Sequence, residues 1–247
     1  MIHVASLVHD DIFDAAPLRR GIASVHQKYG VLKATFTGSF IMTESSILLS
    51  SIGNPPVTAV LSQVLEDLVT GELMQLNQLT NDDKRFERYI DKTYLKTASL
   101  ISNSCRAVAM LADINDKELV NAAGGFGRHL GIAFQLIDDV LDFEADEKEL
   151  GKPGMGSDLK SGVITGPILF AAFQHDQINK MIYRNFSQEG DIDKIMELVR
   201  ESSSLSQTRM LAEFHLNAAI RSLDYIKESP FKDALLRLSA SFIQRMS

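Results

Sequence analysis

Apolar residues recur at the three-to-four-residue spacing of an α-helix along most of the chain, and no segment shows the strict alternation of a β-strand. Short segments rich in glycine, proline, asparagine or aspartate separate these apolar stretches. The pattern predicts helices over 1–14, 31–52, 57–79, 85–111 and 117–142, a loop over 143–162, and shorter helices over 163–246 that break near Gly190 and Pro230. Because no repeat, linker or low-complexity tract divides residues 1–247, we predict a single all-α domain.

Composition and charge narrow the class of protein. Of the 247 residues, 45% are hydrophobic and 23% charged, which is typical of a globular domain with a sizeable core. The net charge of −7 argues against a general nucleic-acid binder. No apolar run reaches the roughly 20 residues that a membrane-spanning helix needs, so we predict no transmembrane segment. Cys105 is the single cysteine, which excludes an intrachain disulfide, and its apolar surroundings predict a buried side chain.

Two clusters of aspartates share the pattern D-D-x-x-D, and each follows an apolar helical stretch. They are Asp10, Asp11 and Asp14 in the first cluster and Asp138, Asp139 and Asp142 in the second. On a helix, residues four apart lie on one face, so each cluster gathers carboxylates that repel one another. Acidic side chains near a helix C-terminus also oppose the helix dipole, at a cost of about 0.3–1 kcal/mol each. A hard divalent cation removes both penalties, and Mg²⁺ is commonly held by a few carboxylates together with substrate phosphates. The paired clusters therefore predict a diphosphate bound through Mg²⁺ between two acidic walls.

Basic and amide residues near the clusters are candidate phosphate ligands. Arg19 and Arg20 follow the first cluster closely, and arginine forks bind phosphate oxygens in a bidentate manner. Lys96 lies among core-like residues, and Lys152 lies in the glycine-rich segment after the second cluster. Gln135, three residues before Asp138, can hydrogen-bond a substrate oxygen or complete a buried polar network.

Three glycines, Gly125, Gly127 and Gly131, have a spacing that superficially suggests a dinucleotide-binding loop. The spacing is G-x-G-x-x-x-G rather than G-x-G-x-x-G, and no strand is predicted before it. We therefore interpret these glycines as a surface where a neighbouring helix packs closely beside the second aspartate cluster.

The motifs around these residues resemble those of the trans-polyprenyl diphosphate synthases, and the resemblance covers nearly the whole chain. Within that family, it is strongest to the catalytic subunits of mitochondrial solanesyl and decaprenyl diphosphate synthases, which make the ubiquinone side chain. The matching segments are Ser6 to Asp14 followed by Arg19-Arg20-Gly21, the helix Lys96-Thr97-Ala98-Ser99-Leu100, Gly131 to Asp142, and Gly151-Lys152-Pro153 with the residues up to Pro167.

The resemblance implies a helical bundle of the isoprenoid-synthase type, in which two aspartate motifs face each other across a central cavity. It implies condensation of isopentenyl diphosphate with an allylic diphosphate, such as farnesyl or geranylgeranyl diphosphate. In such a site Mg²⁺ is held by Asp10, Asp14 and Asp138, with Asp142 as a further ligand and Asp11 and Asp139 completing the clusters. Catalytic roles fall to Lys96, Thr97, Gln135 and Lys152, whereas substrate contacts also include Arg19 and Arg20.

The resemblance also suggests a product length. Short-chain members carry bulky aromatic residues four and five positions before the first aspartate, where they form the floor of the product cavity. This chain has Ser6 and Ala5 there, so we expect a long-chain product. Ordinary helix packing remains an alternative explanation for these small residues.

Several departures from the family pattern leave alternatives open. The family's N-terminal helices, with a G-G-K-x-x-R-P-type segment that binds isopentenyl diphosphate, have no counterpart here, and we expect the natural N-terminus to lie upstream. Gly38-Ser39 stands where the family usually has Gly-Asp. The main alternative is a non-catalytic or regulatory subunit, or an inactive fragment, of a heteromeric synthase. A terpene cyclase or head-to-head synthase shares the expected fold, and a purely structural helical protein fits the acidic clusters least.

Family members form homo- or hetero-oligomers, and the apolar helices over 31–52 and 57–79 are candidates for such an interface, with burial in the core as the alternative. The resemblance further implies a mitochondrial location on the matrix side, although the sequence contains no recognisable targeting segment.

Overall fold

The computed structural model describes residues 1–76, 84–112, 115–144 and 156–244, and these ranges are almost entirely helical, as predicted. In the first half, the helices are α1 (Ile2–Phe13), α2 (Val25–Tyr29), α3 (Val31–Ser51), α4 (Pro55–Leu76), α5 (Arg85–Thr93), α6 (Ser99–Ala112) and α7 (Lys117–Glu144). The second half contains α8 (Ser157–Lys160), α9 (Gly166–Gln174), α10 (Asp176–Tyr183), α11 (Asp191–Glu201), α12 (Ser204–Ser222) and α13 (Pro230–Gln244). None of the helices in the described ranges is both long and apolar enough to span a membrane.

The connection between α1 and α3 is more ordered than the sequence predicts. Two short antiparallel strands, β1 (Leu18–Arg19) and β2 (Ile22–Ala23), form a hairpin before α2. Its two-residue turn consists of Arg20 and Gly21, with φ angles of +52° and +76°. Tight hairpin turns with positive φ at both positions match the twist of paired strands. Two-residue strands are too short to produce an alternating pattern, which is why the hairpin escaped prediction.

Helix α4 buries only part of its apolar residues. Val57 and Val64 are fully buried, whereas Leu73 is 54% exposed. Asp67 and Gly71 lie on the same buried side as the two valines. Asp67 accepts a hydrogen bond from Ser99 at the start of α6, so a polar contact, invisible to a hydrophobicity pattern, fixes the rotation of α4.

The helix predicted over 85–111 is continuous but contains one wide turn. Residues Tyr94–Ala98, between α5 and α6, form a π-helical segment. Such bulges insert an extra residue into the helical turn and are frequent at functional sites. This segment carries Lys96 and Thr97, two of the predicted site residues.

Helix α7 is the centre of the fold and packs mainly against α6 and α12. Ile132 and Leu136 of this helix are completely buried in the largest apolar cluster. A β-carbon added at Gly127 would lie 2.7 Å from the Ile101 carbonyl oxygen, and one at Gly131 would lie 2.6 Å from Cα of Ala98. Contacts this short exclude a side chain, so the prediction that these glycines allow close helix packing is confirmed.

Other local predictions have mixed outcomes. Most of the loop predicted over 143–162 falls outside the described residues, but α7 extends to Glu144 and Ser157–Lys160 is helical. Cys105 is only partly buried, against the smaller cluster between α7 and α12. Ser39 is exposed in the middle of α3, so a residue at this position cannot cap that helix.

Two histidines meet where α7 packs against α12. The Nδ1 atoms of His129 and His215 are 2.9 Å apart, which requires one ring to donate and the other, in its neutral form, to accept. Burial, together with the positive potential of His129 and Arg128, lowers the pKa of His215 to about 4. Burial also lowers the pKa of His129. The helix interface therefore favours the neutral pair.

We expect acid to weaken this interface. The folded-state pKa of His215 lies below the ordinary value of 6.5, so its contribution to stability is complete above pH 6.5 and is lost as the pH falls towards 4. Between pH 7 and pH 5 the free energy of unfolding should fall on the order of 1 kcal/mol more in the native protein than in a His215→Gln variant. Urea unfolding at the two pH values measures the difference. An equal loss in both proteins would contradict the assignment.

Candidate active site

The first aspartate cluster lies at the C-terminal end of α1, and its three carboxylates have different surroundings. Asp14 is exposed and Asp10 is partly buried, whereas Asp11 is only 3% exposed. Arg19 in the hairpin binds Asp11 through Nε at 2.8 Å and Nη2 at 2.5 Å. This forked pair fixes the hairpin against the end of α1 and places Arg20 at the hairpin tip.

Asp10 lies among other charged groups. Burial, opposed by the attraction of Lys96 and assisted by the negative charges of Glu72 and Asp14, raises the pKa of Asp10 to about 7. Asp10 also shares a hydrogen bond with Glu72. The pKa of Asp14 is also raised, because nearby protein atoms partly desolvate its carboxylate although the residue is exposed, and because Glu72 repels its charge. The attraction of Lys96 and Arg19 opposes this rise. The negative charge of these carboxylates therefore exceeds the positive charge of the neighbouring side chains. A bound divalent cation would reduce the repulsion that results.

Lys96 joins this cluster from the π-helical segment. Its Nζ lies 2.7 Å from Oε1 of Glu72 and donates to Oε1 of Gln75 at 3.0 Å. Both partners lie on α4, within one turn after Gly71, where an added β-carbon would approach Cγ of Lys96 to 2.7 Å. The absence of a side chain at Gly71 therefore gives Lys96 the room to extend towards the aspartates.

The residue that follows Lys96 begins a series of hydrogen bonds that leads to the second aspartate cluster. That residue, Thr97, donates to Oε1 of Gln135 at 2.8 Å, and Nε2 of Gln135 donates to Oδ1 of Asp139 at 2.9 Å. The hydroxyl of Tyr89 donates to the other oxygen of Asp139 at 2.5 Å. Burial raises the pKa of Asp139, while the hydrogen bonds from Tyr89 and Gln135 lower it. Asp10 is connected to Lys96 through Glu72, which is bonded to both. We call the series from Asp10 through Lys96, Thr97 and Gln135 to Asp139 the aspartate relay.

The other members of the second cluster differ in accessibility. Asp142 is buried and accepts hydrogen bonds from the backbone N–H and hydroxyl of Ser157, at 3.1 and 2.7 Å, and from the backbone N–H of Asp158 at 3.2 Å. It thereby fixes the start of α8 against the end of α7. Asp138 is partly exposed. Lys152 lies outside the described residues.

The two predicted chain-length residues occupy different sides of α1. With roughly 100° of rotation per residue, Ser6 lies about 40° from Asp10 around the helix, whereas Ala5 lies about 140° away. Ala5 is close in angle to His9, whose Nε2 contacts the Thr35 carbonyl oxygen on α3 at 3.2 Å. Ala5 itself is completely buried. Ser6 therefore lies on the face of Asp10, and Ala5 lies on the face that packs against α3.

The described residues do not form a metal site by themselves. Within the described ranges, no three histidine, cysteine, aspartate or glutamate side chains converge closely enough to hold a metal ion. The side chains available nevertheless fit a hard divalent cation, because they offer carboxylate oxygens as ligands. The raised pKa values of Asp10 and Asp14 show that their negative charge is incompletely compensated, and a cation would compensate it. Mg²⁺ usually needs only one or two carboxylates and takes its other ligands from water and substrate phosphates.

Three residues of this site escaped prediction from the sequence. Glu72 and Gln75, three apart on α4, bind Lys96, and Tyr89 binds Asp139. The spacing of the first two is a weak signal for one helix face, and no feature of the sequence links Tyr89 to a residue 50 positions later.

Comparison with known proteins gives a consistent result. The model of the family described as Polyprenyl synthetase matches residues 1–199. The human protein All trans-polyprenyl-diphosphate synthase PDSS1 is 46% identical over 245 residues, covering 99% of this chain and 59% of that protein. Solanesyl-diphosphate synthase 1, mitochondrial, from Oryza sativa subsp. japonica is 39% identical over 235 residues, covering 95% of this chain and 54% of that protein. This chain therefore spans little more than half the length of these two relatives.

The fold is also similar to solved structures. A crystal structure of polyprenyl synthase from Caulobacter crescentus CB15, complexed with calcium and isoprenyl diphosphate, superposes with a TM-score of 0.86 at 28% identity. The match covers 100% of this chain and 76% of that one. The helical bundle, the paired aspartate clusters and the extent of the family match together show that this chain belongs to the polyprenyl synthetase family.

Proposed function

We propose that the protein condenses isopentenyl diphosphate with an allylic diphosphate, farnesyl or geranylgeranyl diphosphate, to make a long-chain all-trans polyprenyl diphosphate. The observation that carries this proposal is the aspartate relay, which links two acidic clusters from opposite parts of the chain through Lys96, Thr97 and Gln135. Two aspartate clusters with a lysine between them can bind a diphosphate, because the carboxylates hold metal cations and the lysine contacts the phosphate oxygens directly. The relatives named as polyprenyl and solanesyl diphosphate synthases support the same reaction class.

The proposed metal ligands are the carboxylates that protein groups leave accessible. Asp10, Asp14 and Asp138 would hold Mg²⁺, and Asp142 would join them if Ser157 released it. Asp11 would position Arg19, to which it is bonded. Asp139 would position Tyr89 and Gln135, which both donate hydrogen bonds to it. When bound, the ions neutralise the diphosphate and stabilise it as a leaving group. The related Caulobacter protein was crystallised in complex with calcium, which supports divalent-cation binding here.

The chain's own side chains have distinct proposed roles. Lys96 and Arg19 would contact the diphosphate of the allylic substrate, together with Lys152, and Arg20 would reach isopentenyl diphosphate from the hairpin tip. As the allylic C–O bond breaks, these cations stabilise the charge that develops on the departing diphosphate. The double bond of isopentenyl diphosphate then attacks the allylic cation, and the proton that is lost passes to the released diphosphate. Thr97 orients Gln135 towards the reacting groups.

We further propose that the product supplies the ubiquinone side chain in mitochondria, on the matrix side. The relative from rice named as mitochondrial supports this location. We propose that the chain acts in a homo- or hetero-oligomer, and the exposed apolar residues along α3, such as Leu32, Phe36, Phe40 and Ile47, support an interface on that helix. The alternative of a non-catalytic subunit has no specific support, since both aspartate clusters are retained.

Incorporation of labelled isopentenyl diphosphate tests the reaction. The purified chain is incubated with farnesyl diphosphate and Mg²⁺, and the products are sized by chromatography. We expect long polyprenyl products from this chain and none from a Lys96→Ala variant. Absence of product from the folded native chain, alone and when mixed with a second synthase subunit, would overturn the proposal that it catalyses elongation.

A further inference from the structure

A cavity lies between α4, α5 and the segment that leads into α9, and it borders the aspartate relay at Tyr89, which is bonded to Asp139. It has a volume of about 260 Å³, and none of its lining residues is acidic. Three cations line it, Arg85, Arg88 and Lys92, together with an apolar wall that includes Leu73, Met74 and Leu169. The cations are spaced i, i+3 and i+7 along α5, so they lie on one face of that helix. We call this space the Lys92 cavity.

Lys92 is unusual because its ammonium group is buried. The residue is only 9% exposed, and among the described residues it forms no hydrogen bond or ion pair. The face of the Tyr89 ring provides a stabilising contact, with its centre 5.5 Å from Nζ. Burial lowers the pKa of Lys92, and the positive charge of Lys96 acts in the same direction. The negative charges of Asp139, Asp158 and Glu72 act in the opposite direction without a hydrogen bond to the ammonium. A buried ammonium without a hydrogen-bonded anion costs free energy, so the cavity favours an anionic ligand.

Arg85 adds a second charge that the described part of the fold leaves without an acidic partner. Its terminal nitrogens donate to two neutral groups on α10, Oδ1 of Asn179 at 3.1 Å and the hydroxyl of Tyr183 at 2.9 Å. The guanidinium also stacks on the Tyr183 ring, 5.0 Å from its centre. These contacts hold the guanidinium rigidly while leaving its charge available to a ligand.

We propose that the Lys92 cavity binds a small phosphate-bearing anion that is separate from the substrates at the aspartate clusters. Arginine and lysine together provide the charge-assisted hydrogen bonds that phosphate oxygens accept. The apolar wall accommodates a short hydrocarbon substituent, and the volume is below the range typical of drug-sized ligands. The ligand is therefore inorganic diphosphate or a short alkyl diphosphate, and the two share the same phosphate contacts. The proposal does not depend on the proposed reaction.

Binding without divalent cations tests the proposal, because diphosphate at the aspartate clusters needs metal ions. Isothermal titration is carried out in EDTA with two probes, inorganic diphosphate and isopentyl diphosphate, which lacks the reactive double bond. We expect saturable binding to the native chain and a loss of affinity of about tenfold or more in Lys92→Met, because hydrogen bonds to charged groups contribute this much. Lys96→Met and Lys194→Met, the latter at a partly exposed lysine on α11, should bind both probes as the native chain does.

Further variants keep the outcome decisive. Arg88 is exposed, so Arg88→Gln should fold and should weaken binding several-fold even if Lys92→Met proves unstable. If the alkyl group lies against the apolar wall, Leu73→Ser should weaken the binding of isopentyl diphosphate more than the binding of inorganic diphosphate. Equal losses of affinity for the two probes would identify inorganic diphosphate as the better fit to the site. Absence of saturable binding in EDTA, or binding that depends on Lys96 and not on Lys92 or Arg88, would overturn the proposal.

Discussion

Replacing Asp10 with asparagine should stabilise the metal-free protein at pH 8 and, at the same time, abolish polyprenyl synthesis. In the folded chain, burial and the charges of Glu72 and Asp14 outweigh the attraction of Lys96 and raise the pKa of Asp10 to about 7, against an ordinary value of 3.8. The folded state therefore binds this proton more tightly than the unfolded state does. The stability that it provides is complete below pH 3.8 and is lost as the pH rises through about 7.

Asparagine keeps the shape of the side chain and removes this titration. The free energy of unfolding of the native chain should decline from pH 5 to pH 8 more steeply than that of Asp10→Asn, as measured by urea denaturation in EDTA. Addition of Mg²⁺ with inorganic diphosphate should raise the melting temperature of the native chain and should have much less effect on the variant. Loss of one ligand of the proposed metal site should reduce the rate of isopentenyl diphosphate incorporation on the order of 10²-fold or more.

The matched control is Asp224→Asn, which makes the same chemical change at an exposed position near the end of α12. It should leave the pH dependence, the response to Mg²⁺ and the activity unchanged. If Asp10→Asn kept the native pH profile and the native response to Mg²⁺, the placement of Asp10 at a metal-binding diphosphate site would be wrong.

Replacing Ser6 with phenylalanine should shorten the polyprenyl product. Ser6 lies one helical turn before Asp10 and within about 40° of it around α1, so a bulky ring there would obstruct a chain that grows away from the diphosphate. The hydroxyl of Ser6 donates to the His3 carbonyl oxygen at 2.9 Å, a local contact that the fold does not require. The first condensations should proceed at near-native rates, because the Ser6 hydroxyl is bonded to the backbone of its own helix and takes no part in the hydrogen bonds of the aspartate relay.

The neighbouring substitution separates chain length from stability. Ala5 is completely buried on the side of α1 that faces α3, so Ala5→Phe should destabilise the fold by about 1–3 kcal/mol through overpacking. Ser6→Ala should retain both the native stability and the native product. Product sizes are read by reversed-phase chromatography and stability by urea unfolding. Unchanged chain length in a folded, active Ser6→Phe variant would contradict the assignment of Ser6 to the product path.

The local pattern of the sequence determined the helical class and the position of most helices. It also determined that Asp10 and Asp14, and likewise Asp138 and Asp142, lie on single helix faces, because a spacing of four residues fixes their relative direction. The glycines of α7 were interpreted correctly as packing contacts, since glycine in a helix is costly unless a neighbour needs the space. Resemblance to a family, rather than periodicity, supplied the roles of Lys96 and Gln135.

Only the tertiary structure decided which of these groups meet. Asp11 is bonded to Arg19, Lys96 to Glu72, and Asp139 to Tyr89, and none of these partners follows from helical spacing alone. The rotation of α4 depended on the buried hydrogen bond between Ser99 and Asp67, which a hydrophobicity pattern treats as unfavourable. The periodicity of apolar residues indicates which face of a helix is buried and which is exposed to solvent. The charge, pKa and accessibility of a side chain depend on groups that other helices bring to it, and these distances are set by packing across the whole chain.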